Sequence, residues 1–202
     1  LQKLYHSRHV AKFNQSEKII CNSGIGYYCD LQSLNSEDAI TWSVFGTASK
    51  ASKEIQIQWV KELFTLLSIS EQYNEYVEIF LWRRIPHPDT LVPGGPEIDI
   101  GIITSNTVLF CEAKWKSKLS KNQGVLKNKN QIQLREEFFT KFGYKIFPSC
   151  SNFFTVSINL QEEIIINNSY RAINWRDICK LSSHPVADEV ERYYSWKLEN
   201  SK

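Results

Sequence analysis

Apolar and polar positions alternate along Glu97–Ile103 and again along Thr107–Lys114, and Ser105-Asn106, a pair suited to a tight turn, separates the two runs. The pattern predicts an antiparallel hairpin. In a loop symmetric about Ser105 and Asn106, opposed residue numbers share one sum, so Asp99 faces Glu112 and Glu97 faces Lys114. Ile98, Ile100 and Ile102 then share a face with Leu109, Cys111 and Ala113, an apolar surface to bury, and the charges occupy the opposite face.

The flanking chain reads as support for this hairpin. A helix is expected from Glu37, capped by Asn35 or Ser36, with Glu37 and Asp38 at the positive end of its dipole and Ala39, Trp42, Val44 and Phe45 on its apolar side. Helical spacing of Ile55, Trp59, Leu63 and Leu67 predicts a packing helix over Ser52–Leu67. Tyr76–Trp82 reads as a strand, and the Pro- and Gly-rich Arg83–Pro96 as an irregular loop in which His87 is expected to be solvated. Asn130–Phe142 is expected to be helical and Ser151–Ile158 a strand, parallel to its neighbour because a helix connects them. Arg171–Trp175 reads as an edge strand, followed by helical pieces at Asp177–Leu181 and Asp188–Glu199. The expected class is α/β, a single domain over residues 1–202 with an αβββαβ core near 37–158 and a mixed central sheet flanked by helices. Residues 1–35 form an N-terminal extension without clear periodicity, and 165–202 carry the C-terminal elements.

Composition narrows the picture little: 42% hydrophobic and 23% charged residues are ordinary for a globular chain. A net charge of +2 does not by itself argue for nucleic acid, so the distribution of lysines has to carry that argument. No apolar run suits a membrane span, and the first residues lack the apolar core of a secretory leader, so no membrane partner and a cytoplasmic location are expected. Five cysteines without a C-x-x-C pair fit reduced thiols. His6, His9, Cys21 and Cys29 are zinc-type ligands, but their spacing follows no standard zinc pattern.

The chemistry lies on the charged face. Carboxylates directly opposed on two strands have Cβ atoms about 5 Å apart and repel unless compensated. A hard divalent cation compensates them, since Mg²⁺ is usually held by only one or two carboxylates and keeps positions for water and phosphate. Lys114, two residues beyond Glu112, is then positioned to orient a water or hold phosphate charge. The alternative is a solvated strand face carrying a Glu97–Lys114 ion pair. Beyond the hairpin, Lys116, Lys118, Lys121, Lys127 and Lys129 precede the next acidic residue, Glu136, and predict an electropositive rim beside the carboxylates. In the helix after it, Gln131 and Arg135 share a face with Leu134 and Phe138, so the two polar residues can reach one phosphate or water together.

Pro96-Glu97-Ile98-Asp99 followed by Glu112-Ala113-Lys114, with an acidic helix start before and a glutamine-bearing helix after, resembles the PD-(D/E)XK nuclease superfamily, the restriction-endonuclease-like fold. The resemblance implies that Asp99, Glu112 and the Ala113 carbonyl hold Mg²⁺, with Mn²⁺ as a substitute, and that Lys114 positions or activates the attacking water. It implies further that Glu37, or Asp38 in competition with it, supplies the first-helix acid, and that Gln131 matches the family's later glutamine, accompanied by Arg135. Two residues separate Pro96 from Asp99 here, whereas the family's Pro-Asp pair is adjacent. Glu97 is thereby left as an extra ligand or as a partner of Lys114. The implied activity is metal-dependent phosphodiester hydrolysis, most simply by an endodeoxyribonuclease whose lysines and Arg135 grip DNA; a homodimer is compatible with it. The alternative is a catalytically silent nucleic-acid-binding or scaffolding module with the same fold.

Overall fold

Ser36 has extended backbone, and its hydroxyl accepts from the Asp38 N–H to start helix α1, Glu37–Thr41. The computed structural model describes residues 35–70, 76–87, 94–117, 128–160 and 165–201; His6, His9, Cys21, Cys29, Lys118, Lys121 and Lys127 lie outside them. After Thr41 the helix widens into a π-type turn over Trp42–Gly46. Hydroxyls bond back along this stretch, Ser43 to Ala39 O and Thr47 to Ser43 O and Val44 O, the kind of side-chain competition that distorts a helix. The widened turn leaves Trp42 43% exposed while Val44 and Phe45 are fully buried. Trp42 therefore departs from the apolar side expected of it.

Helix α2, Lys53–Leu66, is capped by Ser52 and buries Trp59, Val60, Leu63 and Phe64, with Leu67 buried just beyond it. Ile55, expected on that face, is exposed. Gln56 is buried instead, because its amide satisfies the Ser49 and Ala51 carbonyls of the preceding turn.

The sheet has six strands, β1 (Val77–Arg84), β2 (Glu97–Thr104), β3 (Thr107–Ala113), β4 (Asn152–Asn159), β5 (Ile165–Asn167) and β6 (Tyr170–Asn174), in the spatial order β1-β2-β3-β4-β6-β5. The first three are antiparallel neighbours; β4 runs parallel to β3 and to β6. Helix α3, Gln131–Ile146, makes the crossover from β3 to β4 expected from the pattern. Two further helices, α4 (Trp175–Cys179) and α5 (Ala187–Asn200), complete an α/β fold with a mixed sheet flanked by helices.

The β2–β3 register is the one obtained by counting from the turn, with Ile100 opposite Cys111 and Ile102 opposite Leu109. The face-by-face expectation needs correction. Every residue of β3 is buried, because the sheet is covered on both sides. The larger core joins Ile100, Ile102, Leu109, Cys111 and Ala113 to the side of α1 and α2; a second, aromatic core joins Phe80, Val108 and Phe110 to Phe138 and Phe139 of α3. Ile98 belongs to this second core, away from Ile100. The β1–β2 pairing skips Trp82 and Asp99, and Trp82 has φ 52°, so the strand pair is irregular just before Ile98. At Gly101 the Phe80 ring lies so close that a Cβ would stand 2.0 Å from it, and glycine is what admits the ring to the second core.

Two peripheral expectations also change. β6 is an interior strand, since the short β5 pairs with it antiparallel and takes the edge. The three exposed residues of β5 carry no alternation to betray a strand. His87 is buried against the Phe138 ring, 6.3 Å between centroids, and is not a solvated loop residue. Among the described residues no helix is long and apolar enough to cross a membrane.

His184 ties the π-turn to the C-terminal half. Its Nε2 lies 2.8 Å from Val44 O and 3.2 Å from Thr47 Oγ1, Nδ1 accepts from the Val186 N–H, and the Trp59 ring packs edge-on. One donor and one acceptor nitrogen describe a neutral ring, and burial lowers its pKa below the ordinary 6.5 despite these hydrogen bonds. A histidine lowered in the folded state contributes stability above the unfolded value, which is lost as pH falls through the lower folded one. The melting temperature is accordingly expected to drop below pH 6.5 more steeply in the parent than in His184→Gln, followed by thermal melts across that range.

Candidate functional site

The end of the hairpin is held from three directions. Lys114 continues β3 in parallel pairing, its N–H donating to Ile158 O at 2.8 Å, and its carbonyl accepts from the indole of Trp175, a wholly buried residue at the start of α4. Asp99, at the position where the β1–β2 pairing is interrupted, accepts the Ala113 N–H at 2.9 Å. The carboxylate thus takes over a backbone donor at the strand end, which fixes it beside Glu112 as the register requires.

Glu112 is 3% exposed, and each of its oxygens has a cationic partner. Lys114 Nζ donates to Oε1 at 2.7 Å and Arg135 Nη2 to Oε2 at 3.3 Å. Burial raises the carboxyl pKa to about 7, with the Asp99 charge adding to the shift and Lys114 and Arg135 opposing it. For Lys114, burial pulls downward, but the charges of Glu112 and Asp99 outweigh it and hold the ammonium above its ordinary value. The lysine also donates to Ala113 O at 3.0 Å and lies 3.8 Å from a carboxylate oxygen of Glu37. Glu37 therefore reaches the cluster from the first turn of α1. Asp38 is 7% exposed in the adjoining position.

Helix α3 contributes from the other face. A capping box between Asn130 and Gln133 starts it, so that Gln131, half-buried, and Arg135 stand one turn apart. Arg135 is 3% exposed and turns into the protein, where Nη2 also donates to Glu97 O at 2.6 Å while Nε and Nη1 make no hydrogen bond among the described residues. Its position suits holding Glu112 rather than meeting a ligand at the surface. Sequence spacing set its helix face without revealing how deep that face lies.

Of the lysines expected to form a rim, Lys116 and Lys129 fall among the described residues. Lys116 is exposed and its ammonium donates to Ser201 O, 2.7 Å away at the end of α5. Lys129 pairs with Glu137, which Lys141 shares, so part of the positive charge is neutralised locally. A further cation was not signalled by the pattern. Lys197 of α5 is fully buried, donates to Ser36 O at 3.0 Å and sits over the Trp115 ring. Burial lowers it to about 8, against the opposing pull of Glu37. Together with the Trp115 indole donating to Ser201 Oγ, it fastens α5 behind the start of α1.

Asp99, Glu112 and the Ala113 carbonyl offer only oxygen donors, which suits a hard divalent ion such as Mg²⁺. Among the described residues no group of three or more His, Cys, Asp or Glu side chains is arranged to hold a metal. Two carboxylates fit an ion that draws its other ligands from water and substrate, and they do not fit a protein-caged ion. Lys114 bridges Glu112 Oε1 and Ala113 O, two of the atoms such an ion would use. Comparison with family models, curated proteins and solved structures finds no match to this chain.

Proposed function

We propose that this chain is a Mg²⁺-dependent nuclease of the PD-(D/E)XK kind, an endodeoxyribonuclease in which the segment from α1 to β4 is the restriction-endonuclease-like core. The observation that carries the reading is the buried Lys114 ammonium, 2.7 Å from Glu112 Oε1 beside the Asp99 carboxylate at the end of a hairpin. Glu112 is buried beside the Asp99 carboxylate, whose charge adds to the rise in its pKa, an arrangement that costs stability and recurs where chemistry needs it.

In this reading Asp99, Glu112 and the Ala113 carbonyl hold the ion, with Mn²⁺ able to replace Mg²⁺. When bound, the ion supplies Lewis-acid stabilisation of charge on the phosphate. Lys114 orients the attacking water for in-line displacement at phosphorus, and Glu37, within reach of the same ammonium, keeps it aligned. Arg135 holds Glu112 from behind, Gln131 faces the substrate one turn earlier, and Lys116 contributes to backbone binding. A catalytically silent nucleic-acid-binding module with the same fold is the competing reading; the pairing of Glu112 with both Lys114 and Arg135 favours it.

Cleavage separates the two. The parent is expected to cut plasmid or single-stranded DNA in Mg²⁺ or Mn²⁺ and not in EDTA, with Asp99→Ala and Lys114→Ala slower by about 10²–10³-fold or more. No metal-dependent cleavage by the parent, or full activity in both variants, would falsify the nuclease reading.

A further inference from the structure

The helical segment that follows Glu37 and the strand next to that of Asp99 together build an aromatic surface. The Trp42 and Trp82 rings stack 6.1 Å apart at an interplanar angle of 10°. Two separate tethers bring this pair to the site: Trp42 lies five residues beyond Glu37 on the same helical segment, and the β1–β2 register sets Trp82 across from Asp99. The placement is costly at both ends. Trp82 adopts φ 52°, a left-handed conformation that a bulky side chain rarely takes and that strains the backbone. Trp42 occupies the π-turn, with Gly46 so close that a Cβ there would stand 2.7 Å from the indole, yet the ring stays 43% exposed. An indole kept in solvent by two unusual backbone features is poorly explained by packing alone.

We propose that Trp42 and Trp82 form a stacking platform for an unpaired nucleobase, so that the strand offered to Asp99, Glu112 and Lys114 is single-stranded or locally opened. This rests on the nuclease reading for its reaction, but not for its binding. Every base has a π-face, and an exposed indole already backed by a second ring is a rigid partner for it. The next two residues, Arg83 and Arg84, are exposed and bring positive charge to the same strand end; Arg83 pairs with Glu78 and lies over the Phe80 ring, and Arg84 donates to Gly95 O. An aromatic residue followed by two basic ones at a strand end suits a flexible strand, whose bases and phosphates are both accessible.

The test is binding in EDTA, where no cleavage intervenes, of a fluorescent oligothymidine and of a blunt duplex of equal length, by anisotropy. The single strand is expected to bind tighter than the duplex. Trp42→Ala should weaken it about 5- to 150-fold, Trp42→Phe much less, with duplex binding unchanged in both. Trp196→Ala, removing a comparably exposed indole of α5, should change neither. Quenching of intrinsic tryptophan fluorescence by unlabelled oligothymidine in the Trp196→Ala background gives a readout that does not depend on the Trp42 variants folding. Equal single-strand affinity in Trp42→Ala, equal weakening of both ligands, duplex preference in the parent, or absence of quenching would each overturn the platform. Trp42-dependent binding without metal-dependent cleavage would instead sink the nuclease reading and leave the platform standing.

Discussion

Lys114→Met is expected to melt about 6–12 °C below the parent in EDTA and to recover most of that difference in millimolar Mg²⁺. Removing one partner of a buried pair costs about 3 kcal/mol, because Glu112 keeps its burial and loses its nearest cation, and 1 kcal/mol moves the melting point about 2–4 °C at this chain length. The recovery follows from the atoms involved. Lys114 Nζ spans Glu112 Oε1 and Ala113 O, so the ammonium stands where the proposed ion would find two of its ligands. With the ammonium gone, an ion binds the folded state without displacing it and adds stability by mass action. Isothermal titration should show divalent affinity at least equal to the parent's, while cleavage is lost. A variant that binds Mg²⁺ more weakly than the parent would mean that Lys114 supports the ion instead of competing with it.

Arg135→Leu is expected to cost about 3–5 kcal/mol, read by denaturant titration, because it leaves the second oxygen of Glu112 and the Glu97 carbonyl without their donor inside the protein. Adding Glu112→Gln should recover part of the loss, since the uncompensated charge disappears with it; the double-mutant cycle isolates that coupling. Arg135→Lys should recover less than its charge suggests, because a single ammonium does not reproduce a planar fork reaching two acceptors. Were Arg135 a surface contact to nucleic acid, its loss would lower affinity and leave the unfolding midpoint in place.

The hairpin was legible because its cues are local. Alternation on either side of Ser105-Asn106 set the register, and the helix expected from Asn130 is α3, which Asn130 caps. The depth of each residue was not legible. Phe80 and Phe110 alternate with the larger core yet are buried, because α3 covers a face that hydropathy alone assigned to solvent. Arg135 follows from the same cause, as does the position of Ile98, which depends on an irregularity at Trp82 that no residue type announces. β5 is too short and too exposed to carry a period.

By itself, the sequence determined which residues could meet: Asp99 with Glu112 by register, and Gln131 with Arg135 by helical spacing. Both are consequences of short-range geometry repeated along a regular element. Only the tertiary structure decided how they meet: that Lys114 and Arg135 both turn inward to Glu112, that Glu37 reaches the cluster from α1, that Lys197 locks α5 behind it, and that Trp42 and Trp82 stack on one another. Those contacts join segments far apart in the chain, and they form because burying both faces of the sheet brings α1, α3 and α5 to the same end of one hairpin. There, low dielectric makes each remaining charge select its partner.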